Sequence, residues 1–449
     1  MCSSDLRLDA WERGNQIVLT RNEDYWGEPA KAETAVFRWS TEAAQRLVEL
    51  QSGAVDGIDN VGTDDFATVE GDSNLQLLPR EAINVFYLGF NVDREPFNNE
   101  KLRQAIGFAI DKERIVDNFY PAGSEAATQF LPPGISGHEE GFAGFTYDQE
   151  RARALLTEAG YPNGLDVDLS YRDVVRGYLP QPAVVAQDIQ AQLAQVGINV
   201  TLDQQESGAF IDAANAGQLG FHMLGWGADF PDPTNFFDYH FAGTIPQFGT
   251  KFPDMVATIT EAAATPDEAA RNQLYADVNQ QLFTHAQAIP VAYGGSALAY
   301  KADVEGAHAS PLSNESLAAM GIEGRDQLTF MQNGEPSGLW CADETDGEAL
   351  RVCEQIGESL LAYEVGGTDT VPSLATEYES SADLKEWTFT LRPNVTFHDG
   401  STFDANDVVK TYRVQWDAAD PLHVGREGLF TYWGGLFGGF LNPPPEDGG

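Results

Sequence analysis

The chain has 449 residues, 42% of them hydrophobic, and carries 69 Asp and Glu against 26 Lys and Arg, a formal net charge of −43. This length is too great for one core, so two or three domains are expected, and the charge argues against nucleic acid and anionic membrane surfaces as partners. No apolar run reaches the ~18 residues that a membrane-spanning helix needs.

The acids are spread along the chain, which describes a solvated acidic surface and not an acidic tail. Seven lysines against nineteen arginines among so many acids suggest a salty habitat. The start, Met1-Cys2-Ser3-Ser4-Asp5-Leu6, has neither the basic opening nor the apolar core of a signal peptide. CSSDL matches the translated end of a sequencing adapter, so residues 1–6 are expected to be non-native and the chain to be cut upstream. On that reading a missing signal peptide says nothing about location.

From residue 7 strands and helices alternate. GNQIVLT ends a short strand by Thr20, NEDYWG is a turn, and Thr34–Trp39 alternates as a strand does. Thr41–Gly53 has the pattern of an amphipathic helix with Leu47 and Leu50 inward and Gly53 as its stop; a buried strand follows over Ala54–Asp59. Ile83–Asn91 is an apolar strand. Beyond Asn99, Leu102, Ala105, Ile106, Ala109 and Ile110 recur at helical spacing, and Asp111 and Asp148 stand as N-caps of two further helices. Leu165–Tyr171, the helix Ala183–Val196 and the strand Ile198–Leu202 form a βαβ unit, with His222–Trp226 as a further strand. Two helices fill Pro253–Ala286, and Ile289–Tyr293 is an apolar strand. Ser310–Arg325 is polar and loop-like, a linker candidate. A β-rich segment with the strands Gln327–Met331 and Trp387–Leu391 follows, then a capped helix over Asp404–Arg413, then the tail LNPPPEDGG, expected to be disordered.

The stretch Leu224–Phe241, LGWGADFPDPTNFFDYHF, joins a strand end to a helix start and sets an aromatic beside a carboxylate. Such a loop can hold a small cationic group, because the ring shields the charge pair from water. The competing reading is a buried strand end, a Pro-fixed turn and an Asx cap with solvated acids. Cys341 and Cys353 lie twelve apart, which permits a disulfide in an oxidising compartment or two buried thiols. His222, Asp229, Asp232, Asp238 and His240 lack any metal-ligand spacing, and no nucleophile elbow, Walker loop or dinucleotide fingerprint occurs.

RLDAWERGNQIVLTRNEDYWG, FYLGFNVDREPFNNEKLRQAIGFAIDKERIV, FTYDQERARALLTEAGYPNG, LGWGADFPDPTNFF and WTFTLRPNVTFHDGSTFDANDVV together span nearly the whole chain. They resemble passages of the extracellular solute-binding proteins of the peptide and nickel type, family 5, which serve ABC importers. The resemblance implies an α/β fold of two lobes, a periplasmic-binding-protein-like (type II) fold with two hinge crossings, for which Ile83–Asn91 and Ile289–Tyr293 are the candidates. It also implies a departure. The NGEPSG…FHDG segment precedes WERG…NEDYWG in the family and follows it here, so lobe 1 is expected to be circularly permuted, truncated at its N-terminus and incomplete. The expected organisation is lobe 1 (first part) over 7–90, lobe 2 over 91–289, a return to lobe 1 and a linker over 290–325, the normally N-terminal segment of lobe 1 over 326–442 and a disordered tail over 443–449.

Residue by residue, the resemblance implies that Asp229 of the Gly225-Trp226-Gly227 loop pairs a peptide α-amino group. Arg176 pairs the ligand carboxylate through its planar fork, and Trp226 and Tyr178 wall the site. Arg172 competes with Arg176 for that role, and an ion pair of Arg176 with Asp173 is the alternative to it. Glu335–Leu339 and Thr345 fall in loops that close over ligand in relatives, and a Cys341–Cys353 bridge stiffens the second of them. The implied function is the solute-binding component of an ABC importer that takes di- or oligopeptides, as a monomer in the periplasm or at the cell exterior, with a lipid anchor and permease subunits as partners, and with no cofactor, metal or covalent chemistry. A nickel-chelate, glutathione or oligosaccharide binder of the same family is the alternative ligand class, and an acid-rich extracellular hydrolase is the alternative of another kind.

Overall fold

A computed structural model describes residues 4–443 except 244, 427 and 429, with the side chains of 431 and 435 also left aside. Residues 1–3 of the expected non-native start, with Cys2, and 444–449 of the tail lie outside the described residues, whereas Ser4 is buried and Leu6 opens the first strand. The chain forms two compact units, one from residues up to Arg80 together with those from Ala297 onward, the other Glu81–Ser296. No helix among the described residues is long and apolar enough to cross a membrane.

The first unit is built on a seven-stranded sheet in the order Leu6–Glu12, Gln16–Arg21, Thr34–Trp39, Gln327–Gln332, Gly57–Ile58, Ser296–Lys301, Leu75–Arg80. Gln327–Gln332, from the segment expected to be displaced in the chain, sits centrally. It runs parallel to Thr34–Trp39 from Gln327↔Thr34 to Gln332↔Trp39, and parallel to Gly57–Ile58 on its other side. Leu75–Arg80 is a strand that alternation does not announce. It contains Pro79 and lies at the sheet edge, where the missing N–H costs no ladder bond. The stretch 310–325 is loop, apart from a 3-10 turn at Leu317–Ala319, yet it is packed and not a solvated linker: Ser310, Glu315, Leu317 and Met320 are buried.

One further feature of this unit differs from expectation. The cysteine segment holds a helix, Gly347–Ile356, capped by Asp346 accepting from Ala349 N at 3.1 Å. Beyond it, the hairpin Ala375–Ser380/Trp387–Leu391 and the helix Ala405–Trp416 leave Tyr378, Trp387, Val409, Tyr412 and Trp416 exposed.

The second unit has a six-stranded mixed sheet in the order Glu125–Ala126, Ala288–Tyr293, Asn84–Phe90, Phe221–Gly227, Leu165–Arg172, Ile198–Gln205. The expected βαβ unit is present: Leu165–Arg172 and Ile198–Gln205 pair parallel in continuous register, joined by the helix Pro182–Gln195. That helix buries Val185, Ile189 and Leu193 against Val167 and Leu169 in one apolar cluster. The two hinge candidates are neighbouring antiparallel strands of this sheet, with Ile289 opposite Leu88. The opposite face carries an aromatic core of Tyr87, Phe130, Phe236, Phe237, Phe241 and Phe248, each fully buried. At about 2–3 kcal/mol per buried Phe, this cluster anchors the segment that follows the 221–227 strand.

Candidate ligand-binding site

The site is built at the C-terminal end of Phe221–Gly227. On one side this strand pairs along its whole length with Asn84–Phe90, ending at Gly227↔Asn84. On the other side its pairing with Leu165–Arg172 is limited to His222↔Ser170, so the chain after Arg172 is able to fold over the strand end. It does so through a tight turn in which Arg176 and Leu179 exchange backbone hydrogen bonds of 3.1 and 2.9 Å. The turn lays the Tyr178 ring on Gly225, where any Cβ would run into it. That contact explains the glycine.

Past Gly227 the chain turns through Asp229 into a short helix, Pro233–Phe237. Asp232 caps it, accepting from Thr234 N at 3.0 Å and Thr234 Oγ1 at 2.7 Å, and pairs with Arg271 at 2.8 and 2.9 Å. Asp232 is therefore committed to the fold. Asn235 reaches back from the helix: its Oδ1 accepts from Trp226 Nε1 at 3.1 Å and from Asp229 N at 2.9 Å, and its Nδ2 donates to Asp229 Oδ2 at 3.2 Å. Trp226 stacks on Tyr239, ring centroids 4.5 Å apart, and lies perpendicular to the His240 ring, centroids 4.9 Å apart. Burial raises the Tyr239 phenol above its ordinary pKa, and the Asp229 charge adds to the rise. Asp229, Trp226, Gly225, Gly227 and Tyr178 are thus brought together around one strand end.

Arg172, the last residue of its strand, donates to Ser207 Oγ at 2.9 Å and to the Tyr178 hydroxyl at 3.3 Å. Arg176 is partly exposed and its guanidinium donates to the carbonyl of Val175 at 3.3 Å; among the described residues the alternative ion pair with Asp173 is not formed. Neither guanidinium has a carboxylate partner among the described residues. His222 and His240 are buried within the aromatic core, and burial lowers each imidazole to about 3, so both are neutral packing groups. No set of three His, Cys, Asp or Glu able to hold a metal ion occurs among the described residues.

Of the residues singled out in the first unit, Glu335 is engaged within the fold. Glu335 accepts from Trp11 Nε1 at 3.1 Å and from Gly14 N at 3.1 and 3.2 Å, so its carboxylate closes the turn between the first two strands. Thr345 is exposed, one residue before the cap of the 347–356 helix. Cys341 and Cys353 are joined by a disulfide, Cα atoms 5.8 Å apart, which ties a 3-10 turn to that helix.

The family model described as "Bacterial extracellular solute-binding proteins, family 5 Middle" matches residues 7–247 and 369–425. The chain belongs to this family. It is 29% identical over 325 residues to the "Dipeptide-binding protein" of Escherichia coli, an overlap of 71% of this chain and 60% of that protein. It is 30% identical over 317 residues to "Heme-binding protein A" of Haemophilus influenzae, covering 69% of this chain and 57% of that one. In structure it is similar to a dipeptide binding protein from Pseudoalteromonas in complex with Met-Leu, with a TM-score of 0.65, 27% identity, and 71% and 64% of the two chains covered. The chain therefore spans about 60% of the length of the curated relatives it matches. Members are solute-binding proteins and not enzymes, which sets aside the acid-rich hydrolase.

Proposed function

We propose that this protein is the solute-binding component of an ABC importer, capturing di- or oligopeptides in the periplasm or at the cell exterior and delivering them to permease subunits. It works as a monomer held at the membrane by a lipid anchor, and it carries out no covalent chemistry. The observation that carries the reading is the chemistry around one strand end in the second unit. A carboxylate, Asp229, is held beside an indole and a phenol, while Arg172 at the neighbouring strand end and Arg176 on the turn after it have no carboxylate partner among the described residues. In a chain with 69 acids, arginines without an acid suit an anionic group from outside. A zwitterionic peptide offers both charges.

The test is binding. Met-Leu is expected to raise the melting temperature as the logarithm of its concentration over Kd, and Asp229→Ala to weaken its affinity about 10- to 100-fold by calorimetry. An unchanged affinity in Asp229→Ala removes the amine anchor. A thermal shift with haem or a nickel chelate, and none across a dipeptide panel, reassigns the ligand class.

A further inference from the structure

We propose that Asn235 is the positioning residue of the ammonium subsite, its single carboxamide fixing the Trp226 indole and the Asp229 carboxylate together. The inference rests on the reading of Asp229 as the amine anchor and goes beyond it, because it says what orients that anchor.

The argument begins with donor and acceptor chemistry. The indole Nε1–H of Trp226 and the backbone N–H of Asp229 can only donate, so the atom facing both must be an acceptor. The Asn235 oxygen meets them at 3.1 and 2.9 Å, one bond for each lone pair. The orientation of the amide is thereby decided, and its NH2 has to face Asp229, where it lies 3.2 Å from Oδ2. A serine is too short to span both partners, and an aspartate supplies the acceptor but no donor.

The amide is itself held. Asn235 is 5% exposed and lies between Pro233, at the start of the helix, and Phe236, which is fully buried in the aromatic core. The cap at Asp232 and its pair with Arg271 fix the helix start. The Trp226 ring is bounded by Asn235 at its N–H, by the Tyr239 face and by the His240 ring. A wall and a charge oriented by one rigid group stay in register with each other, which lowers the ordering cost of binding a small cation between them.

The experiment is a double-mutant cycle read by calorimetry on the full chain, with Met-Leu and N-acetyl-Met-Leu as probes. Asn235→Ala is expected to weaken Met-Leu about tenfold, and to cause no further loss in the Asp229→Ala background. N-acetyl-Met-Leu, which has no ammonium, is expected to bind the parent and Asn235→Ala alike. Asn235→Asp keeps both acceptor bonds and so preserves folding, but sets two carboxyl groups face to face. They share a proton in acid and repel when both ionise, so Met-Leu affinity is expected to match the parent at pH 5 and to depart from it by pH 8. An equal loss from Asn235→Ala with and without Asp229 overturns the positioning role, as does an Asn235→Asp profile parallel to the parent's. If Asp229→Ala alone leaves Met-Leu affinity unchanged, the amine anchor falls and this inference with it. If Asp229→Ala weakens binding and Asn235→Ala does not, only the inference falls.

Discussion

Two pairs of arginines are treated in opposite ways. In the first unit Arg80 and Arg351 close a ring with Asp59 and Glu315: Arg80 meets Asp59 at 2.9 Å and Glu315 at 2.6 Å, Arg351 meets them at 2.9 and 3.1 Å. All four side chains are at most 6% exposed. Burial works to raise the Asp59 pKa, but Arg351 and Arg80 outweigh it and hold the carboxyl below its ordinary range. In the second unit Arg172 and Arg176 stay partly exposed and meet hydroxyls and one backbone carbonyl. The first pair has its charges satisfied within the fold. The second meets no carboxylate among the described residues, which is the state the proposed ligand site calls for.

The comparison breaks most sharply on stability. Arg351→Met leaves Asp59 and Glu315 buried with one cation between them, and truncating one member of such a network costs about 3–5 kcal/mol. Guanidinium unfolding followed by tryptophan fluorescence is expected to show that loss. Arg176→Met is expected to stay within ~0.5 kcal/mol of the parent in the same measurement, as a surface substitution does. A loss in Arg351→Met below ~1 kcal/mol means that the ring is solvated or loosely held.

On binding the order reverses. Arg176→Met is expected to weaken Met-Leu about 10- to 100-fold, or about 1.5–3 kcal/mol, and to leave the affinity for Met-Leu amide, a peptide capped at its carboxylate, unaffected, because only the free carboxylate uses the fork. Arg172→Met is expected to weaken both peptides alike and only a few-fold (under ~1 kcal/mol), since Arg172 acts by steadying the Tyr178 hydroxyl. Should Arg172→Met, and not Arg176→Met, discriminate the free from the capped peptide, the two roles exchange.

Much of the second unit was legible because its signals are local. Asp111 and Asp148 cap helices as the sequence predicts, and period-2 alternation at Leu165–Tyr171 marks a half-buried strand. Trp226 and Asp229 stood out because an aromatic and an acid share a strand-to-helix turn. Asn235 did not, although it lies only six residues on: residue type cannot say that one side chain bridges two others. The 347–356 helix also has its signal, Asp346 as cap and Ala349, Val352, Cys353 and Ile356 buried at helical spacing, but two cysteines twelve apart fit a bridged loop as well as a helix. Glu335 and the Arg80–Glu315 ring are different. Glu335 lies 324 and 321 residues from Trp11 and Gly14, and the ring is closed by Arg80–Glu315 and Asp59–Arg351, 235 and 292 residues apart; local pattern carries no information about such pairs.

Asp238 falls between the two extremes and gives the finest test. It follows the 233–237 helix and precedes Tyr239, which stacks on Trp226. Its Oδ2 is buried with no hydrogen-bond partner among the described residues, and the cation nearby, Arg271, is already paired with Asp232. Burial pushes the Asp238 carboxyl from 3.8 up to about 7, with the Asp232 charge adding to the rise and Arg271 opposing it. Because the folded pKa lies above the unfolded one, the unfolded chain ionises first. Stability at this position is therefore whole below about pH 4, falls as the pH rises toward about 7, and is level above it. Asp238→Asn removes the titrating proton while keeping the shape. It is expected to match the parent at pH 4 and to exceed it at pH 8 by on the order of 1 kcal/mol, a figure reduced for the part of the side chain that water still reaches. Denaturant midpoints at the two pH values measure the gap. Parallel curves would mean that the Asp238 charge is as well accommodated as those of the buried ring, and the contrast between satisfied and waiting charge would then have to be drawn without it.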